Sequence, residues 1–172
     1  TPLKVYVLDH VLKDPVCVAR MERMLAALGR RAAEAICITE KNLPEVMAEL
    51  RHLWPSATVP PGQTRSYLRP LVFTTIELSG RRPDLRPLVK RCPEGTNPVE
   101  VEHIFGHFMT AVDQHPHHLD WQNDCVCWPT FNFGTVVGCP HGCQYCCAGR
   151  DGKFMAIGLN LEQYMDRVVE PV

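Results

Sequence analysis

No stretch of this chain approaches the ~18 uninterrupted apolar residues of a membrane-spanning helix, so no span of that kind is expected. A dominant charge is also lacking. The 18 Lys and Arg are balanced by 19 Asp and Glu, a net −1 that gives no global reason to expect nucleic-acid binding. The opening residues Thr1-Pro2-Leu3-Lys4 carry no secretory signal and no initiator Met. The start is therefore expected to be trimmed or incomplete, and the expected compartment is the cytoplasm. Disorder is excluded as the dominant state, because 45% of the residues are hydrophobic and 22% charged. A length of 172 residues fits one domain or a large fragment of one.

Cysteine and histidine are what the sequence has in excess, nine and eight respectively. An odd count cannot be fully paired into disulfides. A chain this long needs no staples to hold a core. Six of the nine cysteines lie between Cys125 and Cys147, and such clustering points to metal or redox chemistry.

Charge is distributed unevenly. Eight Lys and Arg between Arg51 and Arg91 meet only Glu77 and Asp84. From Cys92 to Asp124 there are six acids and five histidines but no Lys or Arg. Pro and Gly are dense from Pro55 to Gly62 and from Gly80 to Pro98, which reads as loop.

The first part predicts β-α-β-α-β. Lys4 to Leu8 is a buried-strand candidate. Asp14-Pro15 offers an N-cap and first-turn Pro to a helix with Val18, Met21, Leu25 and Leu28 as its apolar stripe, and Gly29 suits its end. Ala35 to Ile38 is a second strand. Leu43 to Leu53 is a second helix with Val46, Met47, Leu50 and Leu53 inward. Leu71 to Ile76 is a third strand. The alternation favours an α/β architecture with a mainly parallel sheet. Asn97-Pro98-Val99-Glu100 resembles a capping box before the helical spacing of Val101, Ile104, Phe105, Phe108, Met109 and Val112. Strands are expected over Thr130 to Val137 and Phe154 to Ile157, and Asn160-Leu161-Glu162-Gln163 reads as a capped start of a last helix. The chain divides into an α/β region over 1–96, a helical and His-rich insertion over 97–128, and a cluster-bearing region over 129–172.

The most informative segment is Gly138-Cys139-Pro140-His141-Gly142-Cys143-Gln144-Tyr145-Cys146, a C-x3-C-x2-C spacing with an aromatic before the third Cys. Three thiolates on a short loop can ligate three irons of a 4Fe–4S cluster and leave the fourth iron open. Gly138 and Gly142 allow the backbone to curl tightly. The loop follows a strand end, where α/β barrels place their chemistry. A small zinc site and buried free thiols are the competing readings of the same cysteines.

The spacing and the aromatic together resemble the radical S-adenosylmethionine superfamily, and in it the spore photoproduct lyase family. The resemblance covers residues 134–170 in sequence detail, including Gly158-Leu159-Asn160-Leu161-Glu162-Gln163 after the loop, and most of the chain in element order. It implies that the β-α-β-α-β unit leads into the first βα units of a partial (β/α) barrel. It implies Cys139, Cys143 and Cys146 as cluster ligands, and S-adenosylmethionine chelated by the open iron. One-electron reduction, by a donor of flavodoxin or ferredoxin type, would then release a 5′-deoxyadenosyl radical that abstracts hydrogen from the substrate. Tyr145 is placed either against the cofactor or packed under the loop. Cys147 stands where the family has an aromatic. The implied activity is lyase-like, either DNA repair on photoproducts or radical chemistry on another substrate.

Other features remain open. Cys125 and Cys127 follow His115, His117 and His118, and this set suits zinc or a second iron centre as well as a solvated loop with core thiols. Cys147 is a hydrogen-donor candidate or a buried thiol. Cys17 and Cys37 are expected in the core, and Cys92 in a loop without a partner. Arg65, Arg69, Arg81, Arg82, Arg86, Lys90 and Arg91 could track DNA phosphates, with Tyr67 stacking on a base, or could form a solvated surface. A full α/β barrel takes ~200 residues or more, and only 34 run from Cys139 to Val172. Completion by a missing C-terminal part or by a second chain is therefore expected. The alternative is a stand-alone zinc or iron–sulfur module without catalysis.

Overall fold

The computed structural model describes residues 3–53, 70–79, 83–107, 134–138 and 154–169. They form an α/β fold around one mixed five-stranded sheet, mostly parallel. Strand β1 is Val5–Leu8, β2 Ile36–Ile38, β3 Leu71–Thr74, β4 Val136–Val137 and β5 Met155–Gly158. Their order across the sheet is β2-β1-β3-β5-β4, and only β4 runs antiparallel to its neighbour. Every residue of β1 and β3 is buried, as expected for central parallel strands covered on both faces.

Helix α1, Pro15–Ala27, begins where expected. The Asp14 carboxylate accepts from the Val16 and Cys17 N–H groups, and Pro15 occupies the first turn where no N–H is needed. Its inward residues are Cys17, Met21 and Leu25, whereas Leu28 is half exposed at the helix end. Gly29 follows with a φ of +66°. Helix α2, Leu43–Leu53, keeps its predicted bounds and buries Leu43, Val46, Met47 and Leu50. The β1–β2 and β2–β3 crossovers run in opposite directions along the sheet, so right-handed connections put α1 and α2 on opposite faces.

The stretch from Gly80 to Pro98, expected as loop, contains a single helical turn, α3 at Arg86–Val89, with Pro87 early enough to be tolerated. Helix α4 is Pro98–Ile104. Asn97 caps it by accepting from the Val99 N–H at 3.0 Å, and Val101 and Ile104 reach the core shared with the sheet. Helix α5 is Leu161–Val169, with Tyr164 buried beneath it. The expected cap at Asn160 takes another form. Its side chain turns away from the helix and onto Ile76 beyond β3, and only its Nδ2–H reaches Gln163 Oε1, at 3.2 Å. Arg20 of α1 donates to the Leu159 carbonyl and to Glu162, fastening α5 beside α1.

Two carboxylate clasps tie β1 and its exit to their surroundings. Tyr6 donates to Glu49 of α2 at 2.6 Å, and Lys4 pairs with the same carboxylate. Burial pushes the Tyr6 hydroxyl up to about 12. Asp9, just beyond β1, bonds Lys13 at 2.8 Å, which holds its carboxyl below the ordinary range.

Candidate functional site

The cysteine loop hangs from one edge of the sheet. β4 and β5 pair as Val136↔Ile157 and Val137↔Ala156, and the Gly158 N–H donates to the Thr135 carbonyl at 2.8 Å. The chain leaves β4 at Gly138 and returns at Phe154, beside it. Gly138 has a φ of +88°, and a Cβ there would lie 2.4 Å from the Phe154 carbonyl oxygen. Only glycine allows this approach. The base of the loop that carries Cys139, Cys143, Tyr145, Cys146 and Cys147 is therefore closed, backbone against backbone. Those five residues themselves lie outside the described residues, as do Cys125, Cys127, His115, His117 and His118.

The direction of β4 decides which edge this is. β4 is antiparallel to β5, so its carboxyl end lies at the amino ends of the parallel strands. The loop does follow a strand end, as expected. It nevertheless leaves the sheet opposite the carboxyl edge where α/β enzymes usually gather ligands.

That carboxyl edge has a polar group of its own. The order β2-β1-β3 makes the gap between the exits of β1 and β3 a topological switch point. Asp9 and His10 follow β1, with 3.6 Å between His10 Nε2 and Asp9 Oδ1. Glu77 follows β3 and accepts from the Ser79 N–H at 2.7 Å. Hydrogen bonds from Ser79 hold the Glu77 carboxyl below its ordinary range, with smaller help from His107 and His10. His107 is delivered by a close contact behind it. Gly106 has a φ of +77°, a Cβ on it would lie 1.7 Å from the Thr75 carbonyl oxygen, and its own carbonyl accepts from the Glu77 N–H at 2.9 Å. Thr74 fixes the same junction by donating to the Ile104 carbonyl at 2.8 Å. The sequence carries one signal of this edge, the polar pair Asp9-His10 directly after a buried strand.

No protein-family model, curated protein or solved structure matches the chain.

The remaining candidates divide between core and surface. Cys17 is buried, and that burial pushes its thiol up to about 11, so it is not a ready thiolate. Cys37 is half-buried on β2. Cys92 is half-buried against the core, its Sγ–H 3.3 Å from the Leu88 carbonyl oxygen. Among the described residues, no three His, Cys, Asp or Glu side chains converge as a metal-binding group. No helix among them is long and apolar enough to cross a membrane.

Of the basic residues, Arg65, Arg69, Arg81 and Arg82 lie outside the described residues, as does Tyr67. Arg86 forks onto Asp84 at 2.7 and 2.9 Å, Arg91 reaches the Lys41 carbonyl at 3.4 Å, and Arg51 donates to the Glu94 carbonyl. These three guanidinium groups are engaged by the protein itself.

Proposed function

We propose that the chain is the cluster-bearing part of a radical S-adenosylmethionine enzyme of the spore photoproduct lyase type. The observation that carries this reading is the C-x3-C-x2-C loop with its two ends drawn together where Gly138 meets Phe154. Cys139, Cys143 and Cys146 are the ligands of a 4Fe–4S cluster. Soft thiolates suit an iron–sulfur core, and a loop with a closed base can curl around a compact one. Held by Cys139, Cys143 and Cys146 and with S-adenosylmethionine bound, such a cluster would supply one-electron radical chemistry that takes hydrogen from the substrate.

The chain's own residues orient and enclose. Gly138 and Gly142 suit a tightly bent loop, and Tyr145 is the candidate cofactor contact. An electron donor of flavodoxin or ferredoxin type approaches the loop. Arg65, Arg69, Arg81 and Arg82 are the candidate phosphate contacts for a DNA substrate, and Tyr67 the candidate stacking partner. A partial (β/α) barrel encloses the site, and the enzyme works in the cytoplasm. The test is electron paramagnetic resonance of the anaerobically reconstituted, reduced protein. The reading expects a 4Fe–4S signal whose shape changes when S-adenosylmethionine is added. A signal indifferent to S-adenosylmethionine contradicts it.

A second reading is a zinc or iron–sulfur module without catalysis. The antiparallel course of β4 favours it, because the loop then hangs at the amino edge, away from the switch point between β1 and β3. Stoichiometric zinc without iron after reconstitution supports this alternative.

A further inference from the structure

Strand β2 ends the sheet on one side, because no strand among the described residues pairs with it besides β1. It reads Ile36-Cys37-Ile38, without a charge, and Ile36 is 40% exposed. An edge of this kind is a template for another strand. The Asp9 N–H donates to the Ile38 carbonyl at 3.0 Å, so the backbone groups of Ile38 face β1. Successive residues of a strand turn these groups to opposite sides, so those of Ala35, Cys37 and Thr39 face outward. Three of the outward groups are already taken. The Ala35 N–H donates to the Ala32 carbonyl at 3.0 Å. The other two go to a single side chain. Asn42, just before α2, donates from Nδ2 to the Cys37 carbonyl at 2.8 Å and accepts at Oδ1 from the Thr39 N–H at 2.8 Å. The Thr39 hydroxyl donates to the same Oδ1 at 3.1 Å.

We propose that Asn42 is a guard on this edge, and that its amide keeps β2 from pairing with β2 of a second copy of the chain. A strand becomes its own partner when two copies pair antiparallel about a two-fold axis. Centred on Cys37, that pairing needs the Cys37 carbonyl to accept from the Cys37 N–H of the second copy, and the converse. The Asn42 amide occupies that carbonyl. Once it is gone, Ile36 of one copy can stand opposite Ile38 of the other, and Cys37 opposite Cys37. Residues paired in this way have Cα atoms about 5.5 Å apart, which a disulfide spans. The guard does not depend on what Cys139, Cys143 and Cys146 bind.

Oxidation of the full chain with diamide, followed by mass spectrometry for the peptides joined Cys37 to Cys37, tests this. Diamide takes up the two hydrogens that the thiols lose. Asn42→Ser should give roughly tenfold more of the joined peptide than the wild type, or better, since two hydrogen bonds that closed the edge are gone. Serine still suits the residue before a helix, so α2 keeps its start. Asn42→Asp has the same shape and can still accept from the Thr39 N–H. It loses only the bond to the Cys37 carbonyl, and it should also gain. Thr39→Ala removes a hydroxyl and leaves both edge bonds in place, so it should match the wild type. No gain in either Asn42 variant overturns the proposal, as does a wild type that joins through Cys37 as readily as they do. A gain in Thr39→Ala equal to that in Asn42→Ser also overturns it, because a loosened turn and not the missing amide would then open the edge.

Discussion

The side-chain amide of Asn160 pairs with both backbone groups of Ile76, accepting from its N–H at 2.6 Å and donating to its carbonyl at 3.0 Å. The ladder between β3 and β5 ends at Thr74 and Gly158, and Leu159 adds one bond, its N–H to the Thr74 carbonyl at 2.9 Å. Asn160 then acts as one more rung, made by a side chain in place of a strand. Asn160→Ala would leave two buried backbone groups unpaired. At ~1–3 kcal/mol for each, the loss is roughly 2–6 kcal/mol. Asn160→Asp should also destabilise at neutral pH, because it sets a carboxylate against the Ile76 carbonyl. Urea denaturation of the two variants checks both statements. Two wild-type midpoints would show that water replaces the amide without cost.

Three glycines separate backbone strain from backbone collision. Gly29 has nothing within 4 Å of its missing Cβ, so Gly29→Ala should cost only the strain of a positive φ, about 1–2 kcal/mol. Gly106→Ala would drive a methyl group into the Thr75 carbonyl and should cost several times more. Gly138→Ala would meet the Phe154 carbonyl and unpair β4 from β5. It should reduce metal uptake by the cysteine loop while the β1–β3 core still unfolds cooperatively. Thermal melts together with metal content rank the three. Equal melting temperatures would contradict the contacts described above.

Stability should fall at both ends of the pH range. Asp9 is held low first by its bond from Lys13, Glu77 by Ser79, and Asp14 by the Val16 and Cys17 N–H groups. Groups with a folded pKa below the unfolded value stabilise the fold above the unfolded pKa. That stability is lost as pH falls through the folded values. Tyr6 works in the opposite sense. Burial lifts its pKa from the ordinary 10.0 to about 12, so its contribution is complete below 10 and disappears as pH rises toward 12. Tyr6→Phe should remove the tyrosine part of the alkaline loss and leave the acid limb unchanged. Chemical denaturation across pH, comparing wild type with Tyr6→Phe, checks this. An unaltered alkaline limb would assign that loss elsewhere.

Local signals were legible in the sequence, and non-local ones were not. The Asp14-Pro15 start of α1, the Asn97 cap of α4 and the full span of α2 follow from residues within a turn or two of one another. The side chain of Asn160 looked like a cap because only its neighbours in sequence were visible, whereas its partner Ile76 lies 84 residues away. The turn at Arg86–Val89 was hidden by the prolines on either side of it. The direction of β4 was invisible for the same kind of reason. Two valines specify a strand, but only their pairing with Ile157 and Ala156 fixes which way it runs, and with it the edge from which the cysteine loop hangs. The cysteine spacing itself was the plainest chemical signal in the chain. That Glu100 Oε2 is buried without a hydrogen-bond partner could not be read in advance, because it depends on which donors the fold brings near.

The central claim is that Cys139, Cys143 and Cys146 hold an iron–sulfur cluster, and the most direct test is iron, sulfide and zinc content per chain after anaerobic reconstitution. The account expects about four irons and four sulfides in the wild type. It expects the cluster to be lost in Cys139→Ala, Cys143→Ala and Cys146→Ala, since a three-thiolate site has none to spare. Cys17→Ala and Cys37→Ala should keep it, and so should Cys147→Ala, because Cys147 follows the third cysteine of the C-x3-C-x2-C spacing and is not one of the three. Stoichiometric zinc without iron, or a cluster that survives all three ligand substitutions and is lost with Cys125 or Cys127, would contradict the account.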